Sequence, residues 1–196
     1  MLVQAPVNLT PAQQDFIETK IMSDLFPWYR TDYQLFDSVV AEDHGLPLIQ
    51  TPIDPPGTAK DLPLMTHMLV KTPPEEHEDG RINSPNWQFF QGIFDQWMYE
   101  QNLPYKRIYR ASLNTVFPSH ADYGLPHVDH HWPHNNWIMY LNTVPDAPTV
   151  LMDNNYRIHT EIACERYTAA TFSQQLHTHR YSQGQHARII VIITWI

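Results

Sequence analysis

The hydrophobic period of this chain changes at Tyr105, and that change limits the folds open to it. Before Tyr105, apolar residues recur at helical spacing. After it they alternate, and Tyr105 to Phe117 reads as one long strand. Ile108, Arg110, Ser112, Asn114 and Val116 fall on one face of that strand, with Tyr109, Ala111 and Leu113 on the other. Further strands are expected at Trp137–Asn142, Thr149–Met152, Tyr156–Ile162, Thr168–Phe172 and Arg188–Trp195. Short strands broken by Pro, Asn and Asp turns predict an antiparallel sandwich or barrel. The last strand is apolar on both faces, which predicts a central position.

The first half reads as support for this β region. Thr10-Pro11-Ala12-Gln13 has an N-cap Thr, a Pro at the first helical position and a capping-box Gln. Phe16, Ile17, Ile21 and Leu25 continue at helical spacing, and Pro27 closes the helix. A short strand is expected at Phe36–Val40, a turn-rich loop over 51–61 and a strand at Leu64–Val70. Thr72 to Gly80 is polar and acidic, a solvated surface loop with a lid as the alternative. Ser84-Pro85 opens a second helix whose stripe of Trp87, Phe90, Phe94, Trp97 and Met98 predicts packing on the outside of a sheet. No internal repeat or linker divides the chain. We expect a single domain over 1–196, with 1–104 as helical and irregular support and 105–196 as the core that carries the site.

Charge narrows the partners. The formal net charge is -9 and Lys and Arg form no run, so no nucleic-acid partner is expected. The only cysteine, Cys164, allows no intrachain disulfide and reads as a small buried apolar residue. The segment from Met1 lacks a charged n-region and a long apolar core. The longest apolar run, Ile189 to Ile196, falls well short of the roughly 20 residues that span a bilayer. The expectation is a cytoplasmic protein with no membrane partner.

Of the 12 histidines, those at 120, 127, 130, 131, 134, 177 and 179 cluster in two segments. In Gly124-Leu125-Pro126-His127-Val128-Asp129, an extended backbone points His127 and Asp129 to the same side, so both can reach one ion. A third ligand must come from a strand distant in sequence, and His177-Thr178-His179 offers one; both of its imidazoles would face the same way. Two imidazoles and a carboxylate on one face form the ligand set of non-heme iron(II) oxygenases. His120-Ala121-Asp122 has the same spacing but no such partner, and reads as a turn capped by its Asp. Arg188 heads the apolar last strand, where a guanidinium is costly unless it holds an anion.

These pieces in this order resemble the prolyl-hydroxylase-like branch of the iron(II)/2-oxoglutarate oxygenases, in particular small phage and bacterial versions. The resemblance covers Arg107 to Trp195. It rests on Pro126–Asp129, the strand Trp137–Asn142, Thr149, Thr178-His179-Arg180 and Arg188. It implies a mainly β fold, a double-stranded β-helix of jelly-roll or cupin-like form. It implies Fe(II) held by His127, Asp129 and His179, with 2-oxoglutarate and O2 as cosubstrates. Arg188 and the Tyr140 hydroxyl would take the distal carboxylate, and Asn114 would hydrogen-bond the cosubstrate near the metal. The implied reaction decarboxylates 2-oxoglutarate to succinate and CO2 while hydroxylating a substrate, peptidyl or small-molecule.

Three features depart from the family pattern. His177 competes with His179, although the distance to Arg188 and the following Arg180 favour His179. Asp146-Ala147-Pro148 replaces the usual glycine before Thr149. His130 to His134 is rich in imidazole, with surface or supporting roles expected and His131 or His134 as candidates for the substrate pocket. Two other readings stay open: a cupin-like metalloenzyme that does not use 2-oxoglutarate, and a non-catalytic jelly-roll binding module.

Overall fold

The computed structural model describes residues 1–31, the backbone of 59–60, and 62–196. The strand expected at Phe36–Val40 lies outside the described residues, as does most of the loop over 51–61. In chain order the elements are β1 (Leu2–Pro6), α1 (Pro11–Phe16) running into a π-helical turn (Ile17–Ile21), β2 (Tyr29–Thr31), β3 (Ala59–Lys60), β4 (Leu64–Lys71), β5 (Arg81–Ile82) and α2 (Trp87–Glu100). The second half holds β6 (Ile108–Val116), β7 (Tyr123–Gly124), β8 (Asn135–Tyr140), β9 (Thr149–Met152), β10 (Ile158–Ile162), β11 (Thr168–Ser173), β12 (His177–His179) and β13 (Arg188–Trp195).

The large sheet has the order β1-β11-β8-β13-β6-β4-β2, with β5 beside β4; the smaller sheet runs β10-β9-β12. A bridge between Tyr123 and Arg180 brings β7 alongside β12, and β3 pairs with β7 in parallel. From β6 to β13 the chain therefore winds back and forth between two facing sheets. This is a double-stranded β-helix, the mainly β fold expected. The apolar last strand is central, between β8 and β6.

Period-two alternation divides the large sheet into two faces. Ala111, Leu113, Trp137, Met139, Val191 and Ile193 point outward and pack under α2, whose Trp87, Phe90, Ile93, Phe94, Trp97 and Met98 are buried. Phe94 meets Trp137 edge-on at 5.4 Å between ring centroids. The second helix starts slightly later than Ser84-Pro85 suggests. Asn86 is its N-cap, and the buried Ser84 hydroxyl instead accepts from the Asn86 N–H (3.2 Å) and meets His67 (2.7 Å).

The first helix has its capping box, with Gln13 N–H donating to Thr10 Oγ1 (3.2 Å) and Thr10 N–H to Gln13 Oε1 (2.8 Å). Ile17 and Ile21 are buried, but the helix ends before Pro27 and Leu25 is 94% exposed, so it is no part of the stripe. The first half also supplies sheet as well as support, because β1 pairs with β11 and β4 with β6. Among the described residues no helix is long and apolar enough to cross a membrane.

Candidate active site

The segment after β7 carries His127 and Asp129, and the backbone fixes where it goes. His127 N–H donates to the His177 carbonyl (2.9 Å), and His177 N–H donates back to the His127 carbonyl (3.0 Å). This pair of bonds sets the two imidazoles side by side, 4.6 Å between ring centroids. The ligand atoms of His127, Asp129 and His177 all lie within 4.8 Å of one another, and His177 Nε2 is 3.3 Å from Asp129 Oδ2. This is the one such group among the described residues, and it contains His177 where the sequence reading set His179.

His179 has a different neighbour across the ladder. Its ring lies against Gly124, where an added Cβ would come 2.6 Å from His179 Cε1, so only glycine leaves room. His179 also packs on Tyr181 (4.7 Å), and its buried Nε2 has no partner. Burial first, then the charge of Arg188, holds this imidazole well below its usual pKa, so it is neutral.

Hydrogen bonds orient the grouped imidazoles. His127 Nδ1 lies 3.0 Å from the Leu125 carbonyl and His177 Nδ1 lies 3.1 Å from the Gln175 carbonyl. A carbonyl can only accept, so each Nδ1 carries the hydrogen and each Nε2 presents a lone pair. Burial, then His177, lowers the His127 pKa to about 4. Burial alone would raise the Asp129 carboxyl; the guanidinium of Arg110 and the contact with His177 outweigh it and hold the group well below the usual range. Arg110 Nη2 pairs with Asp129 Oδ1, while the buried Oδ2 has no hydrogen-bond partner. The alternation of β6 predicts an inward Arg110 but assigns it no role. The only signal was a cation on a strand face otherwise bound for the interior.

Arg188 lies at the other end of the same interior. It is 2% exposed; Nη2 donates to Thr149 Oγ1 (2.5 Å), and Nε has no partner. Its guanidinium sits 5.4 Å from the Tyr140 ring centroid. The Tyr140 hydroxyl meets Thr149 Oγ1 at 2.8 Å, and burial raises its pKa against the pull of Arg188, so it stays protonated. Asn114 is one strand further on: Ile190 on β13 separates it from Tyr140 in register, and Asn114 Oδ1 accepts from Thr66 Oγ1 (2.8 Å). Buried Cys164 donates weakly to the Asn142 carbonyl (3.5 Å), and burial raises its pKa, which makes it an inert thiol. In the His120-Ala121-Asp122 turn, the Ser119 hydroxyl accepts from the Ala121 N–H (3.0 Å).

Compared by sequence, the chain matches no family model, and it matches no curated protein. Compared by structure, it is similar along nearly its whole length to several proteins, three of which follow. One is a prolyl hydroxylase from Trichoplax adhaerens, solved with a hypoxia inducible factor oxygen degradation domain peptide fragment: TM-score 0.58, 9% identity, covering 100% of this chain and 83% of that one. Another is AviO1 from Streptomyces viridochromogenes, with TM-score 0.56, 13% identity and coverage of 99% and 88%. The third is an oxidoreductase of the 2OG-Fe(II) oxygenase family from Burkholderia pseudomallei, with TM-score 0.53, 13% identity and coverage of 94% and 89%. The fold is that of the 2OG-Fe(II) oxygenases. The grouped residues of this chain fit a metal ion. Metal–ligand bonds of roughly 2.0–2.2 Å at right angles set ligand atoms about 3 Å apart, close to the His177–Asp129 spacing of 3.3 Å. Two aimed lone pairs and an orphaned carboxylate oxygen complete the donor set.

Proposed function

We propose that this chain is an iron(II)- and 2-oxoglutarate-dependent dioxygenase that hydroxylates a peptidyl or small-molecule substrate, with release of succinate and CO2. The observation that carries the reading is Arg188. Its guanidinium is buried, its Nε is unpartnered, and among the described residues no carboxylate pairs with it. Such a cation is stable only with an anion, and a dicarboxylate reaching in from a nearby metal supplies one.

In this reading His127, Asp129 and His177 hold the iron on one face. Bound iron supplies oxygen activation coupled to the oxidative decarboxylation of 2-oxoglutarate, the source of the oxidising power for hydroxylation. The protein does the rest. Arg110 occupies one oxygen of Asp129 and leaves the other for the metal. Arg188 and the protonated Tyr140 hydroxyl take the distal carboxylate, and Thr149 orients both. Neutral His179, paired in register with the Thr149 that Arg188 contacts, lines the path of the cosubstrate without binding iron. Asn114 closes the β6 side of that path. Ile138 and Ile190 exclude water from its floor. Residues 1–196 act as one catalytic domain. The peptide seen with the Trichoplax prolyl hydroxylase supports the peptidyl option.

The test is an anaerobic titration with Fe(II) and 2-oxoglutarate, followed by succinate release in air. We expect a weak visible charge-transfer band and succinate, both lost in His127→Ala. Neither signal in the wild type would refute the reading. Arg188→Ala should abolish cosubstrate binding while metal is retained; a cupin-like enzyme of another class would be indifferent to it.

A further inference from the structure

Beyond the Arg188 end, the interior holds a second set of unsatisfied polar atoms. On β8, Asn136, Ile138 and Tyr140 alternate inward. Asn136 lies opposite Phe172 of β11 on one side and Thr194 of β13 on the other, and Thr194 in turn lies opposite Arg110 of β6. This row of side chains runs beneath the proposed ligands, because Phe172 packs on His177 (5.2 Å) and Arg110 pairs with Asp129. Asn136 is 0% exposed, yet neither its carboxamide nitrogen nor its oxygen has a partner. Two residues earlier, buried His134 has Nδ1 2.8 Å from the Trp132 carbonyl. That nitrogen carries the hydrogen, so Nε2 is an acceptor, and it too is buried and unpartnered. His130 links the two positions: its Nε2 meets Thr194 Oγ1 at 2.8 Å, and its ring lies 4.9 Å from that of His134.

A folded chain keeps such orphans at a cost, and several together point to a group that arrives to satisfy them. Its chemistry follows from theirs. The nearby charges, Arg110 and Asp129, already compensate each other. What remains is neutral: one acceptor on His134, an NH2 group and one acceptor on Asn136, and, against His130, the Trp132 indole N–H. A carboxylate would face the His134 lone pair, and an ammonium would be desolvated without a counter-ion. A primary carboxamide, such as a side-chain amide, offers two N–H donors and a C=O acceptor and matches all three of the His134 and Asn136 groups; a peptide bond, with one N–H, matches only two.

We propose that His134 and Asn136 form a substrate subsite that binds an uncharged carboxamide next to the metal group. Its position beside the reaction centre rests on the function proposed above; its chemistry does not. The two barrel ends then divide the work, with a cationic end for the cosubstrate and a neutral end for the substrate.

The test uses the full chain loaded with zinc, a diamagnetic stand-in for iron, with 15N-labelled histidine. Acetamide is the probe; acetate and methylammonium are the controls. The His134 Nε2 resonance should begin as an unprotonated lone-pair nitrogen and shift saturably with acetamide but with neither control. Asn136→Leu should weaken that response by at least about tenfold, the worth of one of its two hydrogen bonds at about 1.4 kcal/mol. An unmoved resonance, an Nε2 already protonated, or an equal response to acetate would overturn the subsite. The wild-type arms decide the matter even if the variant does not fold. The metal reading is read separately in the same spectra, since zinc must shift the Nε2 resonances of His127 and His177 whatever acetamide does.

Discussion

The two faces of the large sheet use the same strands to opposite ends. Outward, β6, β8 and β13 present Ala111, Leu113, Trp137, Met139, Val191 and Ile193 to the aromatic stripe of α2. Inward, the alternate residues include Arg110, Asn114, Asn136, Tyr140, Arg188 and Thr194. Both faces are largely buried. The unpaired atoms on the outer side are single indole N–H groups of Trp97, Trp137 and Trp195 on large apolar rings. On the inner side they are a guanidinium nitrogen, a carboxylate oxygen, imidazole lone pairs and a whole carboxamide. Burial on the outer face stabilises the fold; on the inner face it leaves polar groups short of partners that a ligand can supply.

The largest expected effect tests the outer face. Phe94 is fully buried and contacts Trp137, Tyr105 and Trp195. Phe94→Ala should cost about 3–5 kcal/mol in urea unfolding. Metal affinity of the fraction that remains folded should not change. A loss of metal binding in parallel would mean that the faces are not separable.

Between pH 7 and pH 5 acid should act mainly on the buried imidazoles of the inner face. An imidazole titrates near 6.5 when unfolded, whereas burial lowers His127 to about 4 and His130 to about 3. As pH falls below about 6.5 the unfolded chain binds protons that the folded one refuses. Stability therefore drops until the folded values are reached. Between pH 7 and pH 5 the metal-free protein should lose about 2–4 kcal/mol in urea titrations, at roughly 1.4 kcal/mol per pH unit and imidazole. A flat profile over that window would show that these rings are solvated.

The sequence made the outer face legible and left the inner one half-read, for a physical reason. Apolar periodicity reports which way a side chain points. It therefore yielded the α2 stripe, the two faces of β6 from Arg110 onward and the central β13; at Tyr109 a bulge breaks the alternation and sends Ile108, expected beside Arg110, to the outer core opposite Trp195. It also put His127 beside Asp129, because i and i+2 share a side. It could not separate His177 from His179, which are themselves i and i+2. That choice depends on what lies across the ladder: His127 opposite His177, and side-chain-less Gly124 opposite His179. Likewise, nothing local to Arg110 announces Asp129 as its partner. The affinity of the metal-free protein for Mn(II), measured by calorimetry, would sharpen this point. His177→Ala should lose at least about 100-fold, the upper end of what even an outer-shell partner costs. His179→Ala should lose less than about tenfold. The reverse order would restore the assignment drawn from spacing.

The smallest effect is the one that runs against intuition. If the inner face is built for ligands, removing its buried cation should stabilise the empty protein. Arg188→Met fills most of the same volume and gives up one hydrogen bond, to Thr149 Oγ1. That hydroxyl is not stranded, because the Tyr140 hydroxyl already lies 2.8 Å from it. The desolvated charge and the orphaned Nε disappear together. The variant should unfold at higher urea, by about 1–3 kcal/mol, as when buried charges are replaced by apolar residues of similar size. It should also lose 2-oxoglutarate binding altogether. An outer-face exchange such as Val191→Thr, which puts a hydroxyl where nothing awaits it, should destabilise instead. If Arg188→Met destabilised the protein as well, the guanidinium would be part of the scaffold, and the contrast between the two faces would fail at its most exposed point.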